Sequence, residues 1–440
     1  MTKPTLGRRY AVIVAIGVNN MRSDNVPPSI DHLAAQLMKR ADELATHTEA
    51  PGGITRRYGT PALAEVMEIV EGWMREAGMT TRRDAIGNLY GLQHGASHET
   101  PRLLLGGHLD SVRDAGRYDG ILGVLSAIAT VEFFRASSTG LPFALEVVAF
   151  ADEEGVRFHS LYLGSSSATG TLPAEILDVA DADGITVRDA IREFGFDPEG
   201  AITGSLTDHR YVGFIEAHIE QGPRLEAADC AVGIVSGIVA TRRAYLDIYG
   251  VAGHAGTVAM EDRHDALVTA SEIILAIDAI AREIEDARAT VGELTVKPGA
   301  SNVIAGEVRL SLDVRHPDGA MVDEIYDRIR HASGAVAAER QMEIVWRTGQ
   351  KVEAMVCDAD LNRALTQVIS DDGPEPMELF SGAGHDAAAL GRIMPSTMLF
   401  VRCKDGISHN PAESITTDDA ATTIDILTRF AQTLATSEDK

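Results

Sequence analysis

Apolar residues recur at three- and four-residue spacing between residues 30 and 79: Leu37, Met38, Ala41 and Leu44, then Ala62, Val66, Ile69, Val70, Trp73 and Met74. That period predicts helices, interrupted by the glycine-rich turn at residues 51–57. Further on, short apolar runs alternate with helical stretches. Strands are expected at residues 87–92, 103–107 and 144–151, and a helix at 121–135. The alternation implies an α/β fold: a mixed, mostly parallel sheet with helices on both faces and chemistry at the carboxyl ends of its strands. His108, Glu153 and Glu154 each fall just past such an end.

Near Gly237 the pattern changes. Residues 244–249 and 308–314 alternate in polarity as half-buried strands do, while 266–284 and 321–338 have helical periodicity. Strand, helix, strand, strand, helix, strand is the order of a ferredoxin-like α+β sandwich. After about Ala354 the α/β pattern resumes, with a helix at 360–369 and a strand at 397–402. We therefore expect an N-terminal extension at 1–29, a discontinuous catalytic domain at 30–236 and 354–440, and an inserted domain at 237–353.

Composition narrows the partners. A formal net charge of −26 over 440 residues argues against nucleic acid or an anionic membrane as a partner, since either needs a basic face. It also makes an arginine near a site worth notice, because an anionic substrate would need a local cation. Cys230, Cys357 and Cys403 are odd in number and far apart, which fits a reducing cytoplasm better than a disulfide framework. The apolar stretch at 10–18 that follows Arg8 and Arg9 lacks a clean cleavage site. No run approaches the roughly 20 apolar residues of a membrane span.

Four polar segments carry candidate chemistry. The first is Gly-His-Leu-Asp-Ser-Val at 107–112, followed by Tyr118, Asp119 and Gly120. The second, Asp-Glu-Glu-Gly at 152–155, sets two glutamates side by side at a strand end. One could bind metal while its neighbour takes a proton from the attacking water. The third runs from Glu216 through His218 to Gln221, and the fourth holds His409 and Glu413. A His-x-Asp tripeptide alone is ordinary. Together these segments supply three imidazoles and two carboxylates, a nitrogen and oxygen set suited to zinc or manganese and unlike a thiolate site.

With these motifs the chain resembles the amidase, hydantoinase and carbamoylase branch of the two-metal peptidases and deacylases, nearest to its allantoate amidohydrolases. The resemblance runs from about Gly52 to the C-terminus. It rests on G-G-I-T-R at 52–56, D-A-I-G-N-L-Y-G at 84–91, the four segments above, G-H-A-G-T at 253–257, S-N-V-I-A-G at 301–306, D-V-R at 313–315 and S-G-A-G-H-D-A at 381–387.

The resemblance implies that His108 and His218 bind one ion, Glu154 and His409 the other, and that Asp119 bridges both. Zinc or manganese is expected, with cobalt or nickel as further candidates. Glu153 matches the general base and Asp110 a carboxylate that orients His108. His254 matches the histidine that stabilises the oxyanion, and Asn302 a polar contact at the same end of the substrate. Arg315 matches the guanidinium that grips the substrate carboxylate, Gln221 a contact to the ureido group, and Gly384 part of the carboxylate pocket.

The resemblance also implies a homodimer formed through the inserted domain, so that His254 or its neighbours can reach the partner's active site. The expected reaction is hydrolysis of the ureido C–N bond of a small anionic substrate, allantoate first. N-carbamoyl-L-amino acids and N-carbamoyl-β-alanine are the alternatives, and the motifs separate them poorly. A metal-free binding protein would not need the complete ligand set. An aminopeptidase would more often carry an acidic ligand where His218 stands.

Overall fold

The computed structural model describes residues 28–437 except 98, 138, 139, 372 and 374. The expected N-terminal extension lies outside the described residues but for its last two positions. The chain then enters two helices, Ile30–Leu44 and Pro61–Glu76. Ser29 caps the first by accepting the His32 N–H, and Thr60 caps the second by accepting that of Leu63, with Pro61 pre-set at the first helical position. The apolar stripes seen in the sequence face inward: Leu33, Leu37 and Leu44 from the first helix, and Leu63, Val66 and Val70 from the second, are buried.

A nine-stranded sheet forms the core. Its centre consists of Ala144–Phe150, Arg102–His108, Tyr211–Ile219 and Ser396–Val401, neighbours in that order and all parallel. Helices cover both faces, so three of these four strands are buried at every residue and read as continuous apolar runs. The helix Ile121–Ser137 lies tightly on Arg102–His108. A Cβ on Gly123 would stand 2.4 Å from the Gly106 carbonyl oxygen, so only glycine permits that approach. The flanks are antiparallel. Leu89–Gln93 and Thr80–Arg83 extend one side, and Val232–Ile238 pairs antiparallel with Ser396–Val401 on the other.

A second, five-stranded antiparallel sheet runs in the order Leu294–Lys297, Glu307–His316, Ala240–Tyr249, Glu343–Val352, with Arg288–Thr290 also on Glu307–His316. Ala266–Arg282 and Gly319–Glu339 pack against it through Ile273, Ile277, Ile325 and Ile329. The chain leaves the large sheet at Ile238, starts the small one at Ala240, and returns to the large sheet at Met355–Val356. Among the described residues, no helix is long and apolar enough to cross a membrane.

Candidate active site

Parallel strands deliver their carboxyl ends to one edge of a sheet, and the candidate ligands gather at that edge. His108 closes Arg102–His108, His218 lies at the end of Tyr211–Ile219, Glu153 and Glu154 follow Ala144–Phe150, and His409 follows Ser396–Val401. Three imidazoles converge on the Asp119 carboxylate. His108 Nε2 and His218 Nε2 approach Oδ1 at 3.4 and 3.2 Å, and His409 Nε2 approaches Oδ2 at 3.3 Å. His409 Nε2 is also 3.6 Å from Glu154 Oε1.

Backbone carbonyls fix the rings. His108 Nδ1 is 3.1 Å from the Asp110 carbonyl oxygen and His218 Nδ1 is 2.9 Å from that of Ile219, which turns each Nε2 inward. Glu413 accepts the backbone N–H of Tyr118 at 2.7 Å and of Asp119 at 3.2 Å, pinning the loop that carries the central carboxylate. Ser408 Oγ reaches Asp119 Oδ2 at 2.8 Å. Gln221 Nε2 donates to the same oxygen at 2.7 Å.

Two groups of candidate ligand atoms result, His108 with Asp119 and His218, and Asp119 with Glu154 and His409. They share Asp119, one oxygen facing each. Glu154 Oε1 is buried with no hydrogen-bond partner, a costly state for a carboxylate that a cation would relieve. The donor set and this orphaned oxygen fit divalent ions such as zinc or manganese. A third group, Glu216 with His218 and His385, lies behind the first. There His385 Nε2 is 2.8 Å from Ser381 Oγ and its ring packs edge-on against His218, centroids 4.4 Å apart.

Asp110 ties the two glutamates together. Its Oδ1 accepts the Glu153 N–H at 3.0 Å and its Oδ2 the Glu154 N–H at 3.1 Å. In the protein alone, burial lifts the Glu153 carboxyl well above its ordinary range, opposed by nearby His108. Burial and then the Asp119 charge raise Glu154 to about 7. Asp119 and Glu154 raise His409 to about 9, against partial burial. Asp119 is held well below the ordinary carboxylate range: burial opposes this, but His218, His108 and His409 outweigh it.

The cavity these groups line, about 130 Å³, is also lined by Arg315, Arg243, Tyr162 and the turn holding Ala383 and Gly384. Arg315 donates from Nε and Nη2 to Asp313 at 2.7 and 3.1 Å, and from Nη1 to the Gly382 carbonyl oxygen at 2.7 Å. A Cβ on Gly384 would come within 1.6 Å of Tyr162 Oη. Tyr162 (φ 59°), Gln221 (56°) and His409 (53°) line the cavity with left-handed backbones, a conformation costly for residues other than glycine and often found where function demands it.

Arg243 and Tyr162 escaped the sequence reading. Tyr162 has no signature beyond its aromatic ring. Arg243 sits in a doublet with Arg242, and an arginine pair inside an alternating strand was the one available sign.

His254 and Asn302 stand elsewhere. Both are exposed, on a two-stranded ribbon in which Gly253–His254 pairs with Val303–Ile304, and neither lines the cavity. The Ala255 N–H donates to the Asn302 carbonyl oxygen at 3.0 Å, and the Gly256 N–H to His254 Nδ1 at 3.0 Å. The structure thus brings these two residues to one another and not to the ligand cluster of the same chain.

Residues 104–433 match the model of peptidase family M20/M25/M40. The chain is 36% identical over 404 residues to an N-carbamoyl-L-amino acid amidohydrolase of Geobacillus stearothermophilus, covering 92% of this chain and 99% of that one. It is 37% identical to a probable allantoate deiminase of Oryza sativa subsp. japonica, covering 88% and 86%. An amidase of the hydantoinase/carbamoylase family from Burkholderia multivorans superposes with a TM-score of 0.84 at 29% identity, covering 91% and 98%.

Proposed function

Because the chain belongs to peptidase family M20/M25/M40 and is a metal-dependent hydrolase of C–N bonds, we propose that it cleaves the ureido C–N bond of a small anionic ureido acid, allantoate first. The observation that carries this reading is the shared grip of Asp110 on Glu153 and Glu154. It sets a candidate base beside a candidate ligand, in a cavity that Arg315 also lines.

In this reading His108, Asp119 and His218 hold one divalent ion, and Asp119, Glu154 and His409 the other, zinc or manganese. When bound, the ions acidify water and polarise the ureido carbonyl. Arg315 binds the substrate carboxylate in two-pronged fashion and the backbone around Gly384 closes that pocket. Gln221 donates from Nε2 to the ureido oxygen. Glu153 takes a proton from the attacking water, which adds to the ureido carbon, and returns it to the leaving nitrogen. The C–N bond breaks, an amine leaves, and the carbamate released falls apart to ammonia and carbon dioxide. For allantoate the amine is ureidoglycine.

His254 and Asn302 enter this scheme through a homodimer formed by residues 237–353, in which the ribbon of one subunit reaches the oxyanion position of its partner. That neither residue lines the cavity of its own chain supports that arrangement. Cysteine usage supports a cytoplasmic setting.

N-carbamoyl-L-amino-acid hydrolysis is the second reading, favoured by the similarity to the Geobacillus amidohydrolase. The test is a panel of allantoate, ureidoglycolate, N-carbamoyl-L-amino acids and N-carbamoyl-β-alanine, given to manganese- or zinc-loaded protein and scored for ammonia. A kcat/KM for allantoate about tenfold or more above the rest supports the first reading. Turnover of none of them overturns both.

A further inference from the structure

Beside the metal cavity lies a larger one of about 400 Å³, and Glu154 and Arg243 belong to the walls of both. Its remaining polar wall consists of Arg57, Arg113, Arg157 and His159 with the carboxylates of Asp181 and Asp183. Four arginines around one cavity are notable in a chain of net charge −26, where the overall field repels anions.

The four are not equally free. Arg57 is spent on Glu49, with Nη2 to Oε2 at 2.6 Å, and Arg157 on Asp181 at 2.8 Å and on the Tyr58 carbonyl oxygen at 2.9 Å. Arg243 commits only Nε, to Asp313 at 2.8 Å, which leaves the N–H groups of both Nη atoms without a partner among the described residues. Arg113 has no hydrogen bond or ion pair among the described residues and is exposed. Arg57 keeps Nη1 and Arg157 keeps Nη2 uncommitted among the described residues, so Arg113 and Arg243 are the least committed of four guanidinium groups bordering a cavity that shares a wall with the candidate reaction centre. His159 adds an imidazole carried on a left-handed backbone, φ 55°. Val156, Leu161 and Ala182 form an apolar part of the wall, but an apolar group placed against the guanidinium groups would strip water from their N–H groups and give no acceptor in return.

We infer that this cavity is the subsite for a second arm of the substrate, a polar arm ending in a carbonyl or carboxylate oxygen that accepts from Arg113 and Arg243. The inference rests on the ureido-hydrolase reading and sharpens it. Both a second ureido group and an acidic side chain present such an oxygen, whereas aliphatic N-carbamoyl amino acids do not.

The test compares kcat/KM for allantoate, N-carbamoyl-L-aspartate, N-carbamoyl-L-leucine and N-carbamoylglycine with metal-loaded protein, in the natural sequence and in Arg113→Ala and Arg243→Gln. A polar-armed substrate should exceed the leucine compound by about tenfold or more. Whichever of allantoate and N-carbamoyl-L-aspartate leads identifies the arm as ureido or acidic. In Arg113→Ala the ratio of the leading substrate to N-carbamoylglycine should fall about fivefold to tenfold, through KM rather than kcat.

Leucine turnover equal to that of both polar-armed substrates, or an unchanged ratio in both variants, overturns the subsite while the hydrolase reading stands. Failure to hydrolyse any of the four compounds, N-carbamoylglycine included, overturns the hydrolase reading and this inference with it.

Discussion

Asp110 and Glu153 are joined by a single hydrogen bond, from the backbone N–H of Glu153 to Asp110 Oδ1 at 3.0 Å, and the other oxygen of the same carboxylate holds Glu154. The carbonyl of Asp110 also orients His108. One residue thus sets the position of a candidate base and of two candidate ligands. Asp110→Asn turns an amide N–H toward one of those backbone donors and loses a bond without changing volume. We expect metal affinity to fall about 10–100-fold, as for partners of metal ligands elsewhere. Metal titration with kcat checks it, and unchanged values for both would leave Asp110 a purely structural residue.

Glu153→Ala should separate binding from chemistry. Its side chain belongs to neither of the two groups proposed to hold the ions, so metal content should stay the same while kcat drops by about three orders of magnitude or more. Elemental analysis alongside steady-state kinetics reads both. Turnover near that of the natural sequence would remove Glu153 as the base.

Arg315→Ala should act on affinity for carboxylates. The variant loses a guanidinium that lines the cavity, and we expect kcat/KM to fall about a hundredfold for carboxylate-bearing ureido substrates, mainly through KM. Asp313 complicates the result, because it loses two of its three guanidinium bonds and keeps only Arg243. Arg315→Lys, which keeps the charge but not the fork, should recover only part of the loss.

Gly384→Ala tests the turn. The added methyl would meet Tyr162 Oη at 1.6 Å, so the turn or the ring must move, at a cost of about 1–3 kcal/mol in stability and with loss of activity. Tyr162→Phe in the same chain removes that oxygen and should restore part of the stability. Denaturant unfolding of the single and double variants measures it, and equal instability of both would place the clash elsewhere.

Metal uptake should depend on pH in a defined direction. In the protein alone His409 sits at about 9 and Glu154 at about 7, and each must lose its proton to bind an ion. From this pair, binding should release about two protons at about pH 6, about one at about pH 8 and almost none at about pH 10. Calorimetry in buffers of different ionisation enthalpy counts them. Both values lie above the ordinary 6.5 and 4.5, so their stabilising effect is full at low pH. In the chelated protein it should fade as pH rises through about 7 and then about 9.

The gathering of His108, Glu154, His218 and His409 at one edge was legible in the sequence, because each lies at or after the carboxyl end of an apolar run and parallel strands end together; Asp119, in a polar loop, carries no such sign. Arg243 was not legible, because its place depends on register: it stands directly across from Asp313 in an antiparallel pair, and pairing between distant segments leaves no local pattern. On the antiparallel flank the strand Leu89–Gln93 was expected, but its neighbour was equally hidden. Thr80–Arg83 is four polar residues with no apolar alternation, and only its pairing with Leu89–Gln93 makes it a strand. Tyr162 owes its position to a left-handed turn that an aromatic residue gives no reason to expect.

Ser396–Val401 lies between Tyr211–Ile219 and Val232–Ile238 in the large sheet. A strand from near the end of the chain therefore fills a gap left between two strands synthesised long before it. Until it arrives the nascent sheet has two open edges facing one another across that gap, and the loop with His409 has no anchor. The candidate ligands at the strand ends cannot all gather before this strand is made, so any ribosome that stalls between residues 238 and 396 holds a chain with an unsealed core and without His409.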